Sequence, residues 1–467
     1  MRRRHVPWKN GEPYPLKEVI RLFGDLLKLS RWSPPRFLVT GFALIILLGG
    51  LLLSLPFATS EGTGLRYLDA VFTATSATCV TGLVVVDTGR FYSVQGQIII
   101  MLLIQVGGIG FMTMATLIAL VLKKRISLRE RIILQEAMNQ HDMEGIVRLI
   151  RRVFLYSVTI EAAAAVLFTL RWAADMPLGK AAYFGVFHAI SFFNNAGFDL
   201  FGEYRSLTPY VDDPLVNIVS MALIILGGIG FVVMAELLDY RKKRRLSLHT
   251  KVVLSVTATL IVLGAAVIFI LEYTNTLAPL TWRGKILASL FQSVTPRTAG
   301  ANTVDIGALR QATQFFIILL MFIGAGPGST AGGIKVTTLA TLVAGVHTMI
   351  RGKEDIVIYE HRLAKDRILK ALTITMLAIG VVIIVTMIVS TTDQDKPFIR
   401  ILFETVSAFG TVGISTGITP HLSDIARIML ALTMFTGRLG PLTLAYALGG
   451  QTEKQLFRHP EGKLIIG

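Results

Sequence analysis

The 467-residue chain has one cysteine, Cys79, which excludes an internal disulfide and a cysteine-based metal cluster. Charge is also scarce: 16% of residues are charged against 53% hydrophobic, a balance foreign to soluble globular domains. HExxH, a nucleophile elbow and carboxylate pairs on facing apolar helices are missing, so no enzyme is expected. His188 and His347 stand singly in apolar segments and read as packed or hydrogen-bonded side chains. No secretory signal is expected either. The first long apolar run starts near Phe37, behind a basic, partly amphipathic stretch too long for a cleavable n-region. What is present, at a mean hydropathy of +0.63, is the composition of a polytopic membrane protein.

Basic residues are thin in alternate segments, and the net charge of +16 is unevenly spread along the chain. Basic residues crowd an arm (Arg2, Arg3, Arg4, Lys9, Lys17, Arg21), the loop from Lys123 to Arg152, the run Arg241–Arg245 and the segment from Arg351 to Lys370. The segments between carry Asp199, Glu203, Asp212, Asp213 and Asp305. Alternation across four hydrophobic blocks is the signature of topology rather than of a nucleic-acid face. It predicts both termini and the three basic loops on the cytoplasmic side of a cell (inner) membrane.

Apolar stretches able to cross a hydrocarbon core of about 30 Å occur at 37–55, 97–122, 153–172, 214–238, 252–272, 312–349, 367–390 and 425–449. Within each successive pair lies an apolar segment of roughly 12 residues, too short to cross, followed by Gly and small polar residues. The predicted fold is an all-α membrane protein. Its four span/pore-loop/span repeats, with eight transmembrane helices, surround one pseudo-fourfold cation pore. The expected units are a cytosolic arm (1–36), repeats at 37–125, 150–245, 250–350 and 366–450, and a cytosolic tail (451–467).

The repeats align on a phenylalanine, a hydroxyl four residues on and a glycine beyond: Phe72, Ser76, Gly82; Phe187, Ser191, Gly197; Phe291, Thr295, Gly300; Phe403, Ser407, Gly413. Hydroxyl and glycine are six residues apart, five in the third copy. The second spans repeat as well, Val106–Phe111 (VGGIGF) matching Leu226–Phe231 (LGGIGF). A backbone that leaves helical geometry at membrane depth has carbonyls to satisfy, and four such loops around one axis can present them to a dehydrated monovalent cation. Glycine permits the left-handed angles this needs, and the preceding half-helices aim their negative ends at the cavity behind. The expected filter is Val80-Thr81-Gly82, Asn195-Ala196-Gly197, Thr298-Ala299-Gly300 and Thr411-Val412-Gly413.

The motifs TATSATCVTGL, FFNNAGF, TPRTAGANTVD, GPGSTAGGIKVTT and FGTVGIS resemble those of the Trk/Ktr/HKT potassium transporter superfamily, and within it the Ktr-type (KtrB-like) membrane subunit. The resemblance runs from about Phe37 to Gly450. It implies four units around one pore, potassium as the transported ion with sodium as a second candidate, and no organic cofactor. Gly82 stands where some plant relatives carry serine and favour sodium, so potassium preference is implied. Ala301 departs from the aromatic expected after the third filter glycine. The resemblance also implies a homodimer seated on a separate cytosolic RCK-type ring of nucleotide-binding regulatory subunits, since no such domain is read in this chain.

Two further features carry expectations. Gly324, Gly326, Pro327, Gly328, Ser329, Thr330, Gly332 and Gly333 interrupt the sixth span, and no helix survives that composition. A phosphate-binding loop fits poorly, because no Gly-Lys-Ser/Thr follows and no strand precedes. The reading is an intramembrane loop beneath the filter, which the resemblance makes the gate, with Lys335 holding one state. Arg438 lies in the last span. A guanidinium there costs at least about 2.5 kcal/mol in lipid, so it faces the pore or pairs with an acid such as Glu236 or Glu404; the resemblance makes it a barrier below the filter. The arm, with Trp8, Phe23, Leu26, Leu27 and Leu29, suits either the regulatory partner or anionic lipid. The competing class is a Trk-type potassium/cation symporter subunit or coupled secondary transporter, in which broken helices rock around a midplane site.

Overall fold

The computed structural model describes residues 34–110, 113, 114, 132 and 146–448. Most of the predicted arm, most of the basic loop from Lys123 and the tail at 451–467 lie outside the described residues. Each repeat opens with a long helix: α1 (Pro34–Ser54), α4 (Ile146–Trp172), α8 (Leu248–Glu272) and α12 (Lys365–Thr392). Among the described residues these four are long and apolar enough to cross a bilayer. Each returns as a half-length pore helix packed against it: α2 (Tyr67–Thr78), α5 (Leu178–Phe193), α9 (Trp282–Val294) and α13 (Phe398–Gly410). The second spans start from α3 (Val94–Ile109), α6 (Pro214–Gly228), α10 (Gln311–Phe322) and α14 (Asp424–Leu439).

Local chemistry fixes where these spans begin. Ser93 accepts from the Gly96 amide, Ser423 from Ala426, and Asp213 from Leu215 and Val216 with Pro214 in the first turn. Their far ends differ from the uninterrupted helices read at 97–122, 214–238 and 425–449. Gly110, Gly230 and Gly440 adopt φ of +89°, +98° and +86°, a region closed to an L-residue helix. The chain bends there by 102° into α7 (Phe231–Lys243) and by 95° into α15 (Pro441–Leu448). In the third repeat the Gly-rich loop separates α10 from α11 (Val336–Ile350), and a short hairpin, β1 (Ile356–Ile358) with β2 (His361–Leu363), follows. Among the described residues the second span is thus broken in the second, third and fourth repeats, and in the first the helix α3 ends on the same positive-φ glycine.

Leu44, Leu48 and Leu51 on α1, Val262 and Ile270 on α8 and Ile384 and Met387 on α12 are exposed. In water so continuous an apolar surface is a liability; around a membrane protein it is the lipid contact. Buried apolar clusters join the first repeat to the second and the second to the third, the third to the fourth, and the fourth to the first, closing a ring. On the face where the pore helices begin, Asp69 in the first turn of α2 meets Arg427 of α14 at 2.6 Å, both side chains largely buried. Removing Arg427 leaves the buried Asp69 carboxylate with only the half-exposed Arg66 at 3.3 Å. Arg427→Ala is expected to lower stability by about 3 kcal/mol, read as a fall in the melting temperature of the detergent-solubilised protein. An unchanged melting temperature would show that this closure of the ring does not contribute.

Candidate pore and gate

Each pore helix ends where its repeat's chain turns back along the axis. The first residues of the expected triplets, Val80, Asn195, Thr298 and Thr411, take φ of +55°, +59°, +76° and +49°. The closing glycines, Gly82, Gly197, Gly300 and Gly413, take +97°, +68°, +81° and +87°. Thr81, Ala196, Ala299 and Val412 between them have negative φ. Four segments thus share one alternating backbone conformation, costly for the non-glycine members and sustained only where surroundings impose it.

The four segments meet in cyclic order. A Cβ on Gly82 would overlap the Ala196 carbonyl oxygen, one on Gly197 that of Ala299, one on Gly300 that of Val412, and one on Gly413 that of Thr81. The ring closes on itself, with only hydrogen tolerated between neighbours. The recurrent hydroxyl is the tie that holds it. Ser191 and Ser407 donate at 2.7 Å to the carbonyls of Phe198 and Ile414, and Thr295 donates to that of Ala301. Ser76 and Ser407 also accept from the amides of Gly82 and Gly413, at 3.0 and 3.1 Å. The recurrent phenylalanines are fully buried behind this arrangement.

Two further residues anchor the chain as it leaves the ring. His188 accepts at Nε2 from the Leu200 amide at 3.3 Å, its Nδ1 against the Phe184 carbonyl. Glu404 accepts from the amide and hydroxyl of Thr416 and from Ser415 and Thr419. Glu404 is thereby committed to the filter's support, and Glu236 accepts from Ser247 and Thr250. His347, by contrast, is exposed at the end of α11.

The Gly-rich loop lies against the inner ends of the pore helices. The break at Gly230 frees the last carbonyls of α6, and the loop satisfies them: Gly326 donates to Gly228 at 2.8 Å and Thr330 to Gly227 at 3.3 Å. In return the Phe231 amide donates to Gly328, whose φ is +62°. Gly324 closes the loop by donating to Ile334, and Ser329 donates to Gly326. Pro327 packs on Gly230 so tightly that no Cβ fits there, and Gly332 packs likewise under the Thr411 side chain. Gly333 turns the chain back at φ +64°. Lys335 donates from Nζ to Ala331 at 2.6 Å and Gly332 at 3.3 Å, clamping the loop from within.

Arg438 sits in the last turn of α14, with its guanidinium reaching three carbonyls: Thr330 of the loop and Gly107 and Gly108 at the end of α3. Its partners are backbone oxygens, so the alternative of a pair with Glu236 or Glu404 does not describe them. Gly107, Gly227 and Gly437 each press so closely on the carbonyl end of their own repeat's pore helix that a Cβ would overlap it. That equivalence puts Arg438 in the slot held by Gly108 and Gly228 in the first two repeats. It spans from the fourth repeat to the first and third beneath the ring.

A buried carboxylate that the sequence reading passed over lies just behind. Glu161, midway along α4, accepts from Asn194 at 3.0 Å and from Gln105 at 3.2 and 3.3 Å. A lone acid inside the apolar span 153–172 was the signal that could have found it.

Comparison with known proteins bears on this geometry. A family profile, TrkH, described as cation transport protein, matches residues 39–450. The chain is 44% identical over 444 residues to the Ktr system potassium uptake protein B of Bacillus subtilis (strain 168), covering 95% of this chain and 98% of that one. It is 37% identical over 445 residues to the potassium/sodium uptake protein NtpJ of Enterococcus hirae, covering 94% and 98%. Among solved structures, the potassium transporter TrkH from Vibrio parahaemolyticus has the same fold, with a TM-score of 0.67 at 18% identity, over 93% of this chain and 96% of that one.

Proposed function

The chain belongs to the TrkH family of cation transport proteins, and on that premise we propose that it is the pore subunit of a Ktr-type potassium uptake system. The single observation that carries the reading is the closed ring of glycines and neighbouring carbonyls at Gly82, Gly197, Gly300 and Gly413. Rings of this kind exchange an ion's hydration shell for fixed oxygens, and the pore helices aim their negative ends at the same axis. Potassium is the ion favoured by the names of the relatives, and sodium is admitted as a second ion by the name potassium/sodium uptake protein.

In this reading the loop at 324–335 is the gate and Arg438 the charged barrier, with the inside-negative potential driving uptake. The repeats keep the bounds 37–125, 150–245, 250–350 and 366–450, and both termini face the cytoplasm. A homodimer would dock its basic cytoplasmic segments on a separate nucleotide-binding ring of RCK type; system names such as Ktr potassium uptake protein B favour a multi-component assembly. The bends of 102° and 95° give the coupled transporter its one point of support, since broken helices also line alternating-access sites.

The test is isotopic flux into liposomes holding the purified protein. Potassium uptake exceeding sodium uptake, and growing in proportion to the gradient, is expected. Flux that saturates at low rate with fixed sodium stoichiometry would favour the coupled transporter, and absence of potassium flux even with the cytosolic partner present would sink the pore reading.

A further inference from the structure

Of the buried ionisable groups in the described spans, Glu161 has no part in the filter or the loop, yet a line of direct contacts leads from it to Arg438. Its Oε1 accepts from Asn194 Nδ2 at 3.0 Å, and both its oxygens accept from Gln105 Nε2. Asn194 Nδ2 also donates to Gln105 Oε1 at 2.8 Å and to the Ile190 carbonyl at 2.9 Å, so carboxylate and amides lock one another. The Asn194 amide in turn presses on Gly108, where a Cβ would overlap its Oδ1. Gly108, three residues beyond Gln105 on α3, offers its carbonyl to Arg438 Nη2 at 3.0 Å, beside that of Gly107.

We propose that Glu161 is a positioning residue for the pore barrier, holding Asn194 and Gln105 so that the last turn of α3 presents its two carbonyls to Arg438. The physical need is clear from the geometry. The turn ends at Gly110, whose φ of +89° departs from helical geometry, and carbonyls at a helix's last turn look for partners beyond its own ladder. A side-chain wedge from behind supplies their direction, and the wedge has no rigidity unless its own donors are saturated. Glu161 saturates them from α4, the first helix of the second repeat. The barrier would thus be assembled from the first, third and fourth repeats and braced by the second.

The inference rests on the reading of Arg438 as a barrier, and the experiment separates the two. Potassium flux into liposomes is measured for wild type, Glu161→Ala, Arg438→Ala and the double variant. Glu161→Ala is expected to raise flux about tenfold, the consequence of leaving buried donors unpaired, and to change it less than twofold once Arg438 is absent. Glu161→Gln, which keeps an oxygen for Asn194 and Gln105, is expected to stay within about threefold of wild type. Should Glu161→Ala not assemble, Gln105→Ala, which removes the other amide, is expected to show the same dependence on Arg438. An equal effect of Glu161→Ala, or of Gln105→Ala, with and without Arg438 would overturn the inference. No change on Arg438→Ala itself would overturn the barrier reading instead.

Discussion

Gly82→Ser is expected to lower the preference for potassium over sodium by about tenfold in paired isotopic uptake. Two costs combine at this position. At φ +97° a side chain is strained by about 1–2 kcal/mol. The new Cβ would also collide with the Ala196 carbonyl and approach Gly197 Cα to 3.2 Å. The second repeat must move, and displacing its carbonyl widens the ring. About 1.4 kcal/mol of differential ion binding suffices for a tenfold change. Gly417→Ser separates the two costs, because Gly417 has φ +89° but nothing within 4 Å of its missing Cβ. It should keep wild-type selectivity. Equal loss of selectivity in both variants would mean that backbone strain alone is responsible and that the ring contact is not.

The parts of the fold that were legible are those written in local necessities. Phe72, Phe187, Phe291 and Phe403 recur because each fills the same buried site, and Ser76, Ser191, Thr295 and Ser407 because each ties the same strand. The shortened third copy still delivers Gly300 to the ring, and Thr295 still reaches the residue after it, so the repeat could be read through the deletion. The bends at Gly230 and Gly440 were less legible. Hydropathy is averaged over turns and stays high through a kink, while a single glycine inside a helix is ordinarily tolerated. The partners of Arg438 were illegible for a different reason. Sequence displays side chains, so a cation inside a span invites a search for an acid, whereas the oxygens that hold it are main-chain carbonyls of the Gly-rich loop and of the last turn of α3. Glu161 was overlooked because its role depends on two amides from other segments, Gln105 and Asn194, which meet it only in the folded ring.

Arg438→Ala is expected to raise potassium flux by about a hundredfold. In the proposed pore, a potassium ion leaving the ring would pass the guanidinium that bridges the Thr330, Gly107 and Gly108 carbonyls. At a separation of about 6 Å and an effective dielectric of about 20, the repulsion is about 3 kcal/mol, which corresponds to about two powers of ten in rate. Truncation removes that repulsion and also turns three carbonyls back toward the passing ion, so both changes act in the same direction. Arg438→Lys divides charge from geometry. The ammonium keeps the repulsion but lacks the planar fork that reaches two repeats at once, so flux should rise by about tenfold or less, since most of the electrostatic barrier remains. A lysine variant as fast as the alanine variant would place the barrier in the bridge across the repeats rather than in its charge. An alanine variant no faster than wild type would leave the loop at 324–335 as the sole constriction beneath the ring, with Arg438 reduced to capping the broken end of α3.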